Sequence, residues 1–317
     1  MSLFDKKQKK QKPLERFDIR KKFNLMGRVG QGSMSKVWKA EDITSRKHVA
    51  IKVLDKEKTR RFETRFEGLN KPTEGEIALS LVHPNIVRTL EVAMTINNEV
   101  FIVMDYIDGS GLSLLLDLQG DLMKQYRLRF ILQIGDALSY FHRQGWIHRD
   151  LCPRNVLVTE ENEIKLIDFG LVVPDQPVFR KPGNRTGTAN YMAPELIQRR
   201  PTDQRIDVFS YAVTCFELYT KRHPWQAAMT LDAVVQHINQ PPLEISAAVP
   251  KIDRQIAEVI MKGLERNPDD RWQTIEEMVT QFREAEARLV KVSRSVLARR
   301  KTSKSGNHRT ARIQGSK

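Results

Sequence analysis

Ile147-His148-Arg149-Asp150-Leu151-Cys152-Pro153-Arg154-Asn155 decides how this chain is read, together with Ile167-Asp168-Phe169-Gly170, which begins to follow it so that Asp168 stands eighteen positions after Asp150. The first stretch puts a carboxylate and an amide in one proline-containing loop. The second places another carboxylate before Phe-Gly. Phosphoryl transfer needs one carboxylate to orient an attacking hydroxyl and further oxygen donors to hold metal ions against a nucleotide's phosphates. Asp150, Asn155 and Asp168 supply those parts in that order.

Upstream lie two stretches with the same chemical bias. Gly30-Gln31-Gly32-Ser33-Met34-Ser35-Lys36-Val37 falls between two predicted strands, where glycines let backbone N–H groups approach phosphate closely. Ser35 stands where such a turn usually carries a third glycine. Val49-Ala50-Ile51-Lys52 then places a lysine on an otherwise apolar strand, which suits a point charge directed at phosphate oxygens. An acidic partner on the next helix would hold it. Glu74 and Glu76 both compete for that place, and Glu74 is preferred because it shares a helical face with Ala78 and Leu81.

Gly-x-Gly-x-x-x-x-Val, Val-Ala-Ile-Lys, His-Arg-Asp with Asn155, Asp-Phe-Gly and Ala193-Pro194-Glu195 resemble, jointly and in order, the signature set of the eukaryotic-type protein kinase family. The resemblance covers about residues 23–285. It implies an α+β bilobal fold, with a small antiparallel-sheet lobe carrying one main helix and a larger helical lobe. It also implies ATP and Mg2+ as cofactors and a protein as substrate. Lys52 would pair with the α/β-phosphates and Glu74, Asp150 would act on the substrate hydroxyl, and Asn155 and Asp168 would bind the metal. Val29, Gly30, Gly32, Val37, Ala50, Leu157 and Ile167 would surround the nucleotide, with Met104 as gatekeeper and Asp105-Tyr106-Ile107 as the hinge facing adenine. Glu195 would pair with Arg271, and Asp207 would open the central helix of the large lobe; these are supports without a part in the chemistry.

Gly187-Thr188-Ala189-Asn190-Tyr191-Met192 resembles the serine/threonine version of the segment before Ala-Pro-Glu, and Thr188 fits the threonine that meets Asp150. The catalytic loop departs from that class at Cys152, where a lysine usually stands. Arg154 is then the candidate to supply the missing positive charge, since charge beside the transferred group is the main catalytic lever. Cys152 itself reads either as a small buried residue or as a thiolate favoured by an electropositive site. Between Leu171 and Gly187 the one hydroxyl is Thr186: either it is a phosphorylation switch or the domain works without one. The leading expectation is a serine/threonine protein kinase. A pseudokinase or nucleotide-sensing scaffold with weak catalysis, and a dual-specificity kinase, are the alternatives.

The rest of the chain is consistent with a two-lobed body. Strands are predicted at 24–29, 36–41, 48–54, 87–94 and 100–105. Helices are predicted at 73–82, 112–118, 124–144, 204–220, 231–238, 253–264 and 274–288. This gives a small lobe at 23–104, a hinge at 105–111 and a large lobe at 112–285. The 317 residues carry a net charge of +14, but residues 1–22 hold +6 and residues 287–317 hold +10, which leaves the body near neutral. The ends therefore read as a flexible basic N-terminal extension (1–22) and a basic C-terminal tail (286–317), partly helical and then disordered. Such tails suit an acidic partner, nucleic acid or anionic lipid. No apolar run is long enough to span a membrane and no secretory signal opens the chain, so a cytoplasmic, intracellular protein is expected. Two cysteines, Cys152 and Cys215, give no disulfide framework, and the seven histidines show no metal-ligand spacing.

Overall fold

The computed structural model describes residues 14–31, 35–118, 120–181, 186–226 and 239–307. The predicted helix at 231–238 and the turn residues Gly32, Ser33 and Met34 lie outside the described residues.

The small lobe is built on β1 (Arg16–Phe17), β2 (Phe23–Gln31), β3 (Ser35–Asp42), β4 (His48–Leu54), β5 (Thr89–Thr95) and β6 (Val100–Asp105), in the sheet order β1-β5-β6-β4-β3-β2. All pairs are antiparallel except β1 with β5. The sheet is apolar on both faces because each face has a cover. Phe23, Ala40, Val49, Ile51, Ala93, Phe101 and Val103 form one cluster, closed by Phe17, Ile19 and Leu25. Phe17 meets Phe101 edge-on with ring centroids 5.3 Å apart. Phe17 and Ile19 are half-buried against this cluster, so the sheet gains a strand and the helical turn α1 (Ile19–Lys22) from residues ahead of Phe23.

The other face receives α2 (Lys56–Glu63) and α3 (Glu74–Ser80). α3 opens with a capping box, in which the Thr73 hydroxyl accepts from Glu76 N–H while the Glu76 carboxylate accepts from Thr73 N–H. Gly75 lets α3 lie close on β5: a Cβ there would come within 2.6 Å of Val92 Cγ1.

The chain crosses to the large lobe through residues 106–108, and then β7 (Gly109–Gly111) pairs with β9 (Val156–Thr159), itself hairpinned to β10 (Ile164–Leu166). The sequence shows no sign of these short strands. Behind them stand α4 (Leu112–Leu118) and the long α5 (Asp121–Arg143); β8 (Trp146–Ile147) pairs with β11 (Val173–Pro174). After α6 (Pro194–Ile197), α7 (Arg205–Thr220) runs through the middle of the lobe, with Val208, Tyr211, Val213, Phe216 and Leu218 all buried. A helix apolar all round is a core helix. α8 (Ile245–Ala248), α9 (Arg254–Gly263) and α10 (Ile275–Asn307) complete the lobe.

α10 packs on α5 at Gly135, where a Cβ would lie 2.2 Å from Val279 Cγ2. It is tied down by Arg283 to Asp136 and Arg288 to Asp253, both at 2.5 Å. It then continues beyond the predicted end at 288, since no Gly or Pro interrupts it before Gly306. Among the described residues no helix is long and apolar enough to cross a membrane. The expected α+β bilobal architecture is present, with α2 joining α3 in the small lobe.

Candidate active site

Lys52 lies in the middle of β4, paired in register with Val37 on β3 and Ile102 on β6. Its side chain is only 7% exposed. A buried ammonium needs partners, and it has two: Glu74 from the first turn of α3, and Asp168 Oδ1 at 2.8 Å from the loop after β10. Glu76 is instead engaged in the capping box, so the geometry selects Glu74. Burial acts to lower the Lys52 pKa, but the charges of Asp168 and Glu74 outweigh it and leave it raised. Asp168 is held below the usual carboxylate range: burial pushes it up, and Lys52 more than reverses that. Burial leaves Glu74 raised despite Lys52. Asp168 Oδ1 also accepts from Gly170 N–H at 3.0 Å, which fixes the carboxylate at the turn that the Phe-Gly pair makes.

Asp150 is held from three sides. Thr188 N–H donates to its Oδ1 at 2.7 Å, and the Asn155 amide donates both to its carbonyl (2.8 Å) and to its Oδ2 (3.1 Å). The loop that presents it is pinned below by Asp207, at the start of α7. That carboxylate accepts from His148 N–H (2.7 Å) and Arg149 N–H (2.8 Å), and meets His142 Nε2 at 2.9 Å. Arg149 pays for this turn with φ of +69°, an uncommon conformation for a non-glycine residue. Gly187, at φ +130°, passes so close that a Cβ would lie 2.9 Å from the Arg149 carbonyl and 3.4 Å from Asp150 Oδ1, and only glycine fits both demands. His142 was missed in the sequence, where one histidine in an amphipathic helix carries no signal.

Thr188 also meets the two residues by which this loop departs from the serine/threonine pattern. Arg154 Nη2 donates to Thr188 Oγ1 at 3.3 Å, and Cys152 Sγ lies 3.7 Å from the same oxygen. Arg154 is exposed and Cys152 is buried. Burial, then the neighbouring Asp150 charge, pushes the Cys152 thiol up. Of the two readings of Cys152, its burial favours the small buried residue, and its surroundings disfavour a thiolate. The Thr186 hydroxyl is also buried, and accepts or donates no hydrogen bond among the described residues.

Of the expected nucleotide-facing residues, Ala50 and Met104 are register partners on β4 and β6, Val37 sits opposite Lys52, and Leu157 opposite Gly111. Met104 is buried, Val29 is exposed, and Gly30, Val37, Ala50, Asp105, Tyr106, Ile107, Leu157 and Ile167 are half-buried. Ile167 N–H donates to the Asn155 carbonyl at 3.1 Å, so the two metal-site candidates, Asn155 and Asp168, hang from one backbone link. The Tyr106 ring is gripped by Lys39 Nζ at 4.2 Å and by the edge of His48 at 6.3 Å. Gly32 falls outside the described residues.

A cofactor fit can be judged from the donors. The Asn155 NH2 is committed to Asp150, which turns its Oδ1 the other way, and Asp168 contributes a carboxylate. Two oxygen donors suit Mg2+, which is normally held by one or two side chains with phosphates and water completing the octahedron. Among the described residues no group of three or more His, Cys, Asp or Glu side chains is placed to hold a metal alone, so a cation held by Asn155 and Asp168 would need further ligands from outside the protein.

This fold and this cluster define a class. The family model for the protein kinase domain matches residues 23–282, and the chain belongs to the protein kinase family. It is similar to a probable serine/threonine-protein kinase of Streptomyces coelicolor, at 32% identity over 258 residues, covering 79% of this chain and 38% of that one. Serine/threonine-protein kinase PknB of Mycobacterium leprae is 31% identical over 264 residues, covering 81% and 42%. A probable serine/threonine-protein kinase of Clostridium perfringens is 31% identical over 263 residues, covering 81% and 37%. The chain spans about two fifths of the length of these relatives.

Proposed function

We propose that this chain is an ATP- and Mg2+-dependent protein kinase that phosphorylates serine and threonine hydroxyls of proteins. The observation that carries the reading is the convergence of Lys52, Glu74 and Asp168 on one side, and Asp150, Asn155 and Thr188 on the other, between two lobes. Mg-ATP supplies the phosphoryl group and neutralises the charge that builds up on it. Lys52, charged and fixed by Glu74, would hold the α/β-phosphate oxygens. Asn155 Oδ1 and the Asp168 carboxylate would hold the cation. Asp150 would orient the substrate hydroxyl and accept its proton as that oxygen takes the γ-phosphoryl and ADP departs. Thr188, bonded through its N–H to Asp150 and through its Oγ1 to Arg154, ties the substrate-side segment to the base. The half-buried Ala50, Leu157 and Ile167 would sandwich the purine, with Val29, Gly30, Gly32 and Val37 above it, and the 105–107 backbone beside Met104 would meet adenine.

The catalytic unit is read as 23–285, with the lobes 23–104 and 112–285 joined by 105–111. It is read as acting in the cytoplasm, where ATP is supplied. The basic ends (1–22 and 286–317) are read as contacts for an acidic partner, nucleic acid or anionic lipid; deleting 1–13 and 293–317, which leaves the packed Arg16–Lys22 segment and Arg288 in place, should weaken such binding and spare ATP turnover. A weak or nucleotide-sensing variant is favoured by two features, Ser35 where the glycine turn usually carries a third glycine and the uncharged Cys152 where a lysine usually steadies the γ-phosphate. Radiolabelled ATP offered with generic protein substrates tests the whole reading. Label on serine and threonine by phosphoamino-acid analysis, lost in Asp150→Asn, is expected. Absence of transfer together with retained nucleotide binding would select the sensing variant.

A further inference from the structure

The pair that fixes Lys52 stands on a short support. α3 has seven residues and Glu74 is the first of them, so the chain ahead of the helix must fix its start. That chain is charged in sequence but anchored by rings. Phe62, near the end of α2, and Phe66, in the helical turn Thr64–Phe66, are each 5% exposed with centroids 5.3 Å apart. Lys71 lies across both, with Nζ 5.5 Å from the Phe62 centroid and 5.8 Å from that of Phe66, and it donates to the Pro72 carbonyl at 3.0 Å. Pro72 precedes Thr73, the N-cap of α3.

Phe66 also packs on a third ring, Phe179, at 5.9 Å. Phe179 belongs to the large lobe's segment after Asp-Phe-Gly and is 7% exposed. Its turn, Pro177–Phe179, is seated on that lobe by two neighbours. β11 pairs with β8, and Arg180 bonds Asp175 at 2.7 Å while its carbonyl accepts from Thr202 N–H. The aromatic contact therefore joins the two lobes at a second place, between a residue eight positions before Glu74 and one eleven positions after Asp168.

We propose that Phe179 is a positioning residue for the phosphoryl-transfer site. Packed on Phe66, it holds the 62–73 connection and, through the cap of α3, keeps Glu74 against Lys52. The ion cluster is then complete only while the 171–181 segment is seated. Residues 171–185 contain no Ser, Thr or Tyr, and the Thr186 hydroxyl is buried, so packing does the seating here. This rests on the kinase reading above for its link to turnover, but the coupling of Phe179 to α3 stands apart from that reading.

Two measurements on the full chain decide it. In Phe179→Ala, amide hydrogen exchange in α3 (Ile77 to Ser80) should rise at least tenfold while α9 is unchanged. In label transfer, Phe179→Ala and Phe66→Ala should each lower kcat/KM for ATP about tenfold or more. The double variant should be no worse than the poorer single one, because both break the same link. If Phe179→Ala proves unfolded, Phe179→Leu and Phe66→Leu keep the site filled without the ring contact and are read in the same two ways. Unchanged exchange in α3, or losses that multiply in the double variant, would overturn the inference. A parent chain that transfers no label would sink the kinase reading alone, and the exchange result would still decide the coupling.

Discussion

Lys52 Nζ donates to Asp168 Oδ1 at 2.8 Å although 116 positions separate the two residues, one on the central strand of the small lobe and the other in a loop of the large lobe. Few other contacts so directly report that the lobes are closed on each other. Replacing Lys52 with Met keeps the length and removes the charge. Turnover should fall by about 10²-fold or more, the scale seen when one preorganised charge-stabilising donor is lost. Stability should fall less than for an ordinary broken buried pair, because burial already raises Glu74 and lets it take a proton. Label transfer and thermal melting, run side by side, check both parts.

Glu195 and Arg271 are the structural counterpart. The guanidinium nitrogens meet the two carboxylate oxygens at 2.8 and 2.7 Å, and the Arg271 side chain is 0% exposed. Arg271 also donates to the carbonyls of Glu265, Arg205 and Arg266. Arg271→Ala leaves a buried carboxylate and three carbonyls without partners, and should cost about 3–5 kcal/mol. Arg271→Lys should recover little, since a single ammonium cannot reproduce the planar fork. Chemical denaturation gives the numbers, and a variant that unfolds at the parent's midpoint would disprove the supporting role.

Much of this was legible because the chemistry imposes residue types at fixed places. The core strands show in Val49-Ala50-Ile51 and Phe101-Ile102-Val103, and α7 in its mostly apolar stretch Val208 to Leu218. Glu74 could have been separated from Glu76 outright: Thr73-x-x-Glu76 is a capping-box signature, which uses Glu76 at the helix start and leaves Glu74 for the lysine. The first strand was hidden because Arg16, Arg20, Lys21 and Lys22 surround the two apolar residues that pack on the sheet, Phe17 and Ile19, and these are only half-buried. α2 was hidden likewise, with Phe62 its one buried side chain in Lys56–Glu63. Pairings that depend on the third dimension, such as Phe66 with Phe179 or His142 with Asp207, leave no local pattern at all.

Asp150 should show its surroundings in a pH profile. Burial raises its pKa, and the hydrogen bonds from Thr188 reverse that only in part. The working form is the carboxylate, so activity is present above the raised value and is lost as pH falls through it. The acid limb of kcat/KM should therefore lie above the ordinary Asp value of about 3.9. The same shift acts oppositely on folding: the unfolded carboxyl ionises first, so stability is lost as pH rises from that ordinary value to the raised one, and the loss is constant beyond it. Asp150→Asn should accordingly abolish turnover and melt no lower than the parent at pH 7. A lower melting temperature would show that the Thr188 and Asn155 bonds outweigh the burial.

Arg154 and Cys152 set the last test. The two flank Thr188 Oγ1, Arg154 at 3.3 Å and Cys152 at 3.7 Å, and only the arginine carries charge. If that charge serves the transferred phosphoryl group, Arg154→Ala should lower kcat by about 10-fold or more and leave KM for ATP nearly unchanged, because the charge acts where the transition state develops. Cys152→Lys placed in the Arg154→Ala background should then recover much of the loss, since the ammonium would enter beside Asp150 and Thr188. Alkylation of the parent chain should be slow with or without nucleotide, as a buried thiol held above its normal pKa is a poor nucleophile. Full turnover in Arg154→Ala would make Arg154 a surface residue that merely bonds Thr188, and would leave this loop working without a cation beside Thr188.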